Sequence, residues 1–276
     1  MSADRDRLAA LGRDLVRHVQ SLLPIMVTAD EAAADPGVQL QWIPVRLAGT
    51  LEGVLALGQS GLHEDAAALV RVMADHLVIF AWLLADANPP DRINAWKNEY
   101  LRLATARDNQ LAKLGLDPHD PTTPLSSAVR WPTAEAAARE CDEFWGQHLR
   151  PLLKPGTLDS FSGLYAAVFR GTSPYVHPSF GGSFGFITVP KDAKSGRVLR
   201  IGRSYGDVSA SVQLATGRPL SPTLLQAVAI ELLAVWVLTA RFRHSDVAET
   251  LRLVDRYVHI LRDLDQAANG NKDGEA

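Results

Sequence analysis

Apolar residues recur every three or four positions along most of this chain, and that spacing is the feature that most restricts its fold. The first run, which predicts a helix over 4–23, places Leu8, Leu11, Leu15, Val19 and Leu22 on one face. Apolar stripes of this kind are buried by packing helices against one another. We therefore predict a mainly α fold, a bundle of about seven helices.

The same pattern, together with proline and glycine positions, divides the rest of the chain. Helical stretches are predicted at 45–59, 64–87, 91–114, 134–149, 158–169, 223–242 and 246–267. Thr133 is the expected N-cap of the fourth of these, and the proline-rich segment 117–132 is expected to be a loop. A β-hairpin at about 183–203 is predicted between two β-rich segments. The polar tail 269–276 is expected to be disordered.

Length and composition favour one soluble domain over 1–268. A chain of 276 residues lies near the upper limit for one hydrophobic core. The single cysteine, Cys141, and the absence of an apolar signal run at the N-terminus favour the cytoplasm. The longest apolar stretch, 224–240, is expected to be a buried core helix, so no membrane contact is predicted. The net charge of −3 argues against a whole surface built for nucleic acid.

Several common catalytic motifs are missing from the sequence. It contains no phosphate-binding loop with Gly-Lys-Ser/Thr, no His-Glu-x-x-His and no Cys-x-x-Cys. The glycine-rich run 181–185 precedes a predicted strand and does not open a helix, so it is interpreted as a plain loop. We therefore expect neither a metal site nor a cofactor.

The segment 169–179 gathers most of the residues that could carry chemistry. It reads Phe-Arg-Gly-Thr-Ser-Pro-Tyr-Val-His-Pro-Ser and combines a cation, an imidazole and several hydroxyls. The cation is Arg170 and the imidazole is His177; histidine titrates near neutrality, and a guanidinium can hold a phosphate with two parallel hydrogen bonds. The candidate binding hydroxyls are those of Ser173, Tyr175 and Ser179.

This segment resembles the Tyr/Phe-Arg-x-x-Ser-x-Tyr-x-His-Pro-Ser motif of a bacterial helical family of unknown function. The resemblance extends upstream to the long helix that contains Ala66-Ala67-Ala68-Leu69-Val70-Arg71 and reaches Trp82. It covers about 62–179. It implies a helical fold and supplies no activity.

Arg170 and His177 also resemble the Arg-x4-6-His pattern of HEPN nucleases, which are helical proteins that cleave RNA without metal, usually as dimers. The resemblance implies an endoribonuclease, in a defence or toxin context, that acts as a homodimer. His177 would move a proton at the ribose 2′-hydroxyl or the leaving oxygen, and Arg170 would stabilise the charged phosphorane. These roles suit the chemistry of the two side chains.

The alternative is a non-catalytic helical binding or scaffold module that uses the same segment structurally. His177 and Ser173 would then hydrogen-bond free carbonyls at a helix end. Pro174 is expected to interrupt the helix on which Arg170 and His177 would lie, and Pro178 favours an extended His177.

Charged residues also occur inside two of the most apolar predicted helices. Arg71, Asp75 and His76 lie in one of them and Glu231 lies in the other. Because a buried charge needs a partner, we predict that Arg71 pairs with Asp75 four residues away or with Glu231 across the core, and that His76 is a satisfied core histidine. The functional alternative is that these residues line the same cleft as Arg170 and His177.

The predicted hairpin is basic although the protein is acidic overall. It contains five cations: Lys191, Lys194, Arg197, Arg200 and Arg203. The only acidic residue among them is Asp192. The cations form either a solvated hairpin with charged edges or a surface for RNA or another phosphate-containing ligand. Five tryptophans lie among apolar neighbours and are expected in the core or an interface: Trp82, Trp96, Trp131, Trp145 and Trp236.

Overall fold

A computed structural model gives the fold and describes residues 2–22, 36–85, 90–114, 126–149, 160–176, 187–188, 200–201, 222–242 and 247–270. Within these ranges the chain is almost entirely helical, which confirms the mainly α prediction. The eight α-helices are α1 (Ser2–Ser21), α2 (Trp42–Gln59), α3 (His63–Leu84), α4 (Pro90–Lys113), α5 (Ala134–Leu149), α6 (Phe161–Val176), α7 (Pro222–Phe242) and α8 (Val247–Gly270). A 3-10 helix, Pro36–Gln41, leads directly into α2.

The apolar stripe of α1 faces the core as its spacing predicts. Leu8, Leu11, Leu15 and Val19 are all buried. Polar contacts join α1 to α8 in antiparallel order, since Arg7 pairs with Asp263 near one end and His18 Nε2 lies 3.1 Å from Thr250 Oγ1 near the other. Buried residues from all eight helices form one hydrophobic core.

Helices α3 and α7 lie at the centre of the bundle. Helix α3 packs against α2, α5, α6 and α7, and α7 packs against α1, α2, α3 and α8. A helix with neighbours on several sides must be apolar on several faces, which is why these two segments lack a clean polar stripe. Helix α4 is peripheral, and its described buried apolar residues are Ile93 and Ala95.

The two central helices are also long and apolar enough to cross a bilayer. The stretches Asp65–Leu84 and Thr223–Phe242 meet that criterion, and 61% and 72% of them are buried inside the protein. Core helices of globular proteins have the same property, so their apolarity is weak evidence for a membrane span.

Helix α5 shows how closely local signals can define an element. It occupies Ala134–Leu149 as predicted, and its first turn is capped by Thr133, whose Oγ1 accepts a hydrogen bond from the Ala136 N–H at 3.2 Å. Between α2 and α3, Gly61 adopts a φ of 76°, a conformation that favours glycine over residues with a side chain.

Several helix boundaries differ from the predictions, among them those of α2, α6 and α8. Helix α2 begins at Trp42 because Pro44 lies in its first turn, where proline is tolerated. Helix α6 runs over Phe161–Val176 and not over 158–169. Helix α8 continues to Gly270, two residues into the predicted tail, after the strong helix formers Ala267 and Ala268.

The described part of the predicted hairpin is small. Strand β1 (Ile187–Thr188) pairs antiparallel with β2 (Arg200–Ile201), with Ile187 opposite Ile201. The rest of 183–203 lies outside the described residues, so an inserted hairpin of that length stays a prediction.

Candidate functional site

Helix α6, which carries the first part of the segment 169–179, is fixed at its N-terminus by a residue of α5. The carboxylate of Asp142 accepts hydrogen bonds from the backbone N–H groups of Phe161, at 2.6 Å, and Ser162, at 3.1 Å, and from the Ser162 hydroxyl. Ser160 Oγ accepts a further bond from the Gly163 N–H at 2.9 Å. These acceptors satisfy N–H groups that have no partner within the helix and place negative charge at its positive end.

One face of α6 packs into the bundle. Phe161, Leu164 and Val168 are buried, and the helix contacts both α3 and α5. Asp142 caps the start of α6 and the core holds its apolar face. Together these contacts fix the direction in which the helix enters the segment 169–179.

The next turn of α6 meets a charged cluster on α3. Arg71 Nε lies 3.4 Å from Asp75 Oδ2, and the Arg71 side chain is largely buried. Its guanidinium carbon lies 3.8 Å from the centre of the Phe169 ring and 5.9 Å from that of Tyr165. Arg71 is therefore held by one carboxylate and by the faces of aromatic rings, a combination that stabilises a partly desolvated guanidinium.

Tyr165 titrates at higher pH in this cluster than it would in water. Burial raises the pKa of its hydroxyl, and the Asp75 carboxylate raises it further, whereas Arg71 acts in the opposite direction. Tyr165 is consequently neutral at physiological pH. It can take part in hydrogen bonding but supplies no negative charge.

The two alternatives for Arg71 are resolved in favour of its own helix. Arg71 lies beside Asp75, whereas both carboxyl oxygens of Glu231 are buried and have no hydrogen-bond partner in the described part of the chain. The interhelical pair is therefore not formed. Burial raises the pKa of Glu231 well above its ordinary value, because the charged form cannot be solvated there.

The other predicted site residues lie mainly where side chains are not described. Arg170, Ser173 and Tyr175 belong to the backbone of α6, and Arg200 belongs to β2, opposite Thr188. Four lie outside the described residues altogether: His177, Ser179, Arg197 and Arg203. The structure brings Arg71, which is paired with Asp75, into contact with Phe169, the residue that immediately precedes Arg170.

The expectation that Pro174 interrupts the helix is wrong. Helix α6 continues through Pro174 to Val176, so Arg170 lies within a helix. Proline removes one backbone hydrogen bond and crowds the preceding turn. Two helical residues, Tyr175 and Val176, follow Pro174 in the described part of the chain, so this cost falls in the last described turn, while upstream packing keeps the helix formed.

His76 and the tryptophans are engaged in contacts within the fold. His76 Nδ1 lies 2.8 Å from the carbonyl oxygen of Val72, one turn earlier, so this histidine is satisfied within its own helix, although it is only partly buried. The five tryptophans expected in the core either belong to it or pack against it. Among the described residues, no group of three or more histidine, cysteine, aspartate or glutamate side chains could hold a metal ion.

Sequence reasoning missed three residues that shape this region. Asp142 gave no local signal, because it caps a helix that begins 19 residues later. Tyr165 and Phe169 could have been found, since aromatic residues four positions apart on a helix share a face and can both contact one cation.

A small, mostly apolar cleft lies elsewhere, between the first turns of α1 and α7 and the end of α2. Its lining includes Arg5, Leu55, Gly58 and Leu224. The Arg5 guanidinium donates to the carbonyl oxygen of Gly58. Since Arg5 is already engaged with the protein backbone, this cleft is a weaker candidate site than the surroundings of Phe169.

No protein-family model matches the chain, and no curated protein or solved structure matches it.

Proposed function

We propose that this protein is a metal-independent endoribonuclease of the HEPN type, with Arg170 and His177 as its catalytic pair. The observation that carries the proposal is the course of α6, which continues through Pro174 and places Arg170 within a helix. A helical arginine followed within a few residues by a histidine is the arrangement that the resemblance to those nucleases requires.

The proposed reaction is a transesterification within the RNA strand. The ribose 2′-oxygen bonds to the adjacent phosphorus while the bond from phosphorus to the 5′-oxygen of the next nucleotide breaks. His177 moves a proton at the attacking hydroxyl or at the leaving oxygen, and Arg170 holds two phosphate oxygens as charge develops. The products are a 2′,3′-cyclic phosphate and a 5′-hydroxyl end.

Secondary roles in the proposal fall to neighbouring groups. The hydroxyls of Ser173, Tyr175 and Ser179 would contact the substrate, and the basic segment 191–203 would attract the RNA backbone. A homodimer is the expected assembly, as the HEPN resemblance implies.

The test uses the wild type, His177→Ala and Arg170→Lys with single-stranded RNA in the presence of EDTA. We expect wild-type cleavage with cyclic-phosphate ends, and a loss of about 10²- to 10⁴-fold in His177→Ala, the usual contribution of a positioned acid or base. Arg170→Lys should also be severely impaired, because lysine keeps the charge but loses the planar fork.

The alternative, a binding or scaffold module, predicts a different result for the same three proteins. The wild type would not cleave RNA, and His177→Ala would lower the melting temperature through a lost helix-end hydrogen bond, a cost of about 1–3 kcal/mol. An inactive wild type together with a destabilised His177→Ala variant would end the ribonuclease proposal.

A further inference from the structure

Phe169 is a large aromatic residue that the fold leaves 40% exposed. The Arg71 guanidinium carbon, 3.8 Å from the ring centre, covers one face of the ring. The Tyr165 ring, with its centre 5.9 Å away and its plane tilted by 38°, lies beside it. Because Arg71 covers one face, a stacking partner would have to approach the opposite face of this partly exposed ring.

The guanidinium that covers this face has two nitrogens whose hydrogen bonds are not satisfied by the described residues. Among the described residues, the buried Arg71 Nε and Nη1 have no hydrogen-bond partner, and Asp75 Oδ2 lies 3.4 Å from Nε. Contact with the aromatic rings is thus a principal interaction of this guanidinium. A ring that already packs against a largely buried cation on one face loses little further conformational entropy when a second flat group stacks on its other face.

We propose that Phe169 is a stacking platform for one nucleobase of single-stranded RNA, next to the phosphate assigned to Arg170. This inference rests on the proposed function. Phe169 immediately precedes Arg170 on α6, and a base is separated from the phosphate on its own ribose by a single sugar. Every base has a π face, so the platform would accept all four bases, with preferences set by stacking strength.

The experiment measures binding separately from cleavage. The probe is a short, fluorescently labelled single-stranded RNA with 2′-O-methyl groups, which lacks the attacking hydroxyl and cannot be cut. Its Kd is measured by fluorescence anisotropy for the wild type, Phe169→Leu and Phe169→Trp. Phe144→Leu is the matched control, because Phe144 is an aromatic residue with the same 40% exposure on a different helix.

We expect Phe169→Leu to weaken binding by about 5- to 150-fold, the range that loss of one base–aromatic stack produces. Phe169→Trp should bind as tightly as the wild type or more tightly, and Phe144→Leu should be unchanged. A set of probes carries an abasic site at successive positions. At one of these positions the abasic site should weaken binding by the wild type by the same factor as Phe169→Leu does, and should not weaken binding by Phe169→Leu any further. The abasic arm tests the platform in the wild-type fold, whatever the stability of the variants.

The binding and cleavage results test the stacking platform and the ribonuclease proposal separately. Equal Kd values for Phe169→Leu and Phe144→Leu, or no abasic position that matters, would overturn the platform even if the wild type cleaves RNA. Stacking at Phe169 without wild-type cleavage would leave the platform and remove the ribonuclease. A wild type that neither binds the probe nor cleaves RNA would reject both.

Discussion

Glu231 is the residue at which burial and charge conflict most directly. Its side chain is fully buried in α7, and neither carboxyl oxygen has a hydrogen-bond partner within the residues that the structure describes. The folded protein therefore favours the protonated form, and the pKa of Glu231 is raised well above 4.5. A group with a raised acid pKa in the folded state makes the free energy of unfolding depend on pH.

The direction of this dependence follows from proton counting. Above about pH 4.5 the unfolded chain releases the Glu231 proton while the folded protein keeps it, so this residue lowers stability as pH rises. We predict that Glu231→Met stabilises the protein by about 1–3 kcal/mol near pH 8 and by less near pH 4.5. Denaturant unfolding at both pH values checks this, with the exposed Glu52→Gln as control. A destabilised Glu231→Met at both pH values would contradict it.

At the scale of single elements, α6 depends on α5 for its start and on α3 for its later turns. The Asp142 carboxylate binds the first backbone N–H groups of α6, and Arg71 contacts Tyr165 and Phe169 one and two turns further along. The position of the backbone at Arg170 is therefore set by two other helices, and changes at either contact should be transmitted along α6.

Removing the cap should destabilise α6 first. We predict that Asp142→Ala lowers the free energy of unfolding by about 1–2 kcal/mol, the usual cost of losing an N-cap. It should also speed amide hydrogen exchange in the first turn of α6. Asp142→Asn keeps one acceptor oxygen, so its free energy of unfolding should fall by less. Glu143→Ala, at the exposed neighbouring position, should behave as the wild type. Equal exchange rates in Asp142→Ala and Glu143→Ala would show that the cap does not hold α6.

At the scale of the whole molecule, charge is unevenly distributed. The protein carries a net charge of −3, yet five cations occur within residues 191–203 against one acid. A local cluster of this kind can attract a polyanion even when the total charge is negative, and the attraction is screened by salt.

We predict that replacing Arg197, Arg200 and Arg203 with glutamine reduces retention on heparin or RNA columns. The residual binding should also show a shallower dependence on salt. The control makes the same change in net charge at three exposed arginines of the helices: Arg102, Arg139 and Arg252. Equal elution of the two triple variants would show that the basic segment is not the binding surface.

Local sequence signals determined the helical elements of this protein. The apolar spacing of α1 and the Thr133 cap of α5 act within a few residues, so both could be predicted without tertiary information. The pair between Arg71 and Asp75 was one of two predicted alternatives for the same reason, since its partners are one helical turn apart.

Tertiary packing decided what local rules could not. Local propensity predicted a break at Pro174, but α6 continues to Val176 because a helix with a buried apolar face and a cap from α5 can absorb one missing backbone bond near its end. Glu231 was one of the two predicted partners of Arg71, but the packing of α7 leaves both of its carboxyl oxygens without a hydrogen-bond partner among the described residues. The contact of Arg71 with Phe169 joins residues far apart in the chain, and only the packing of α3 against α6 brings them together.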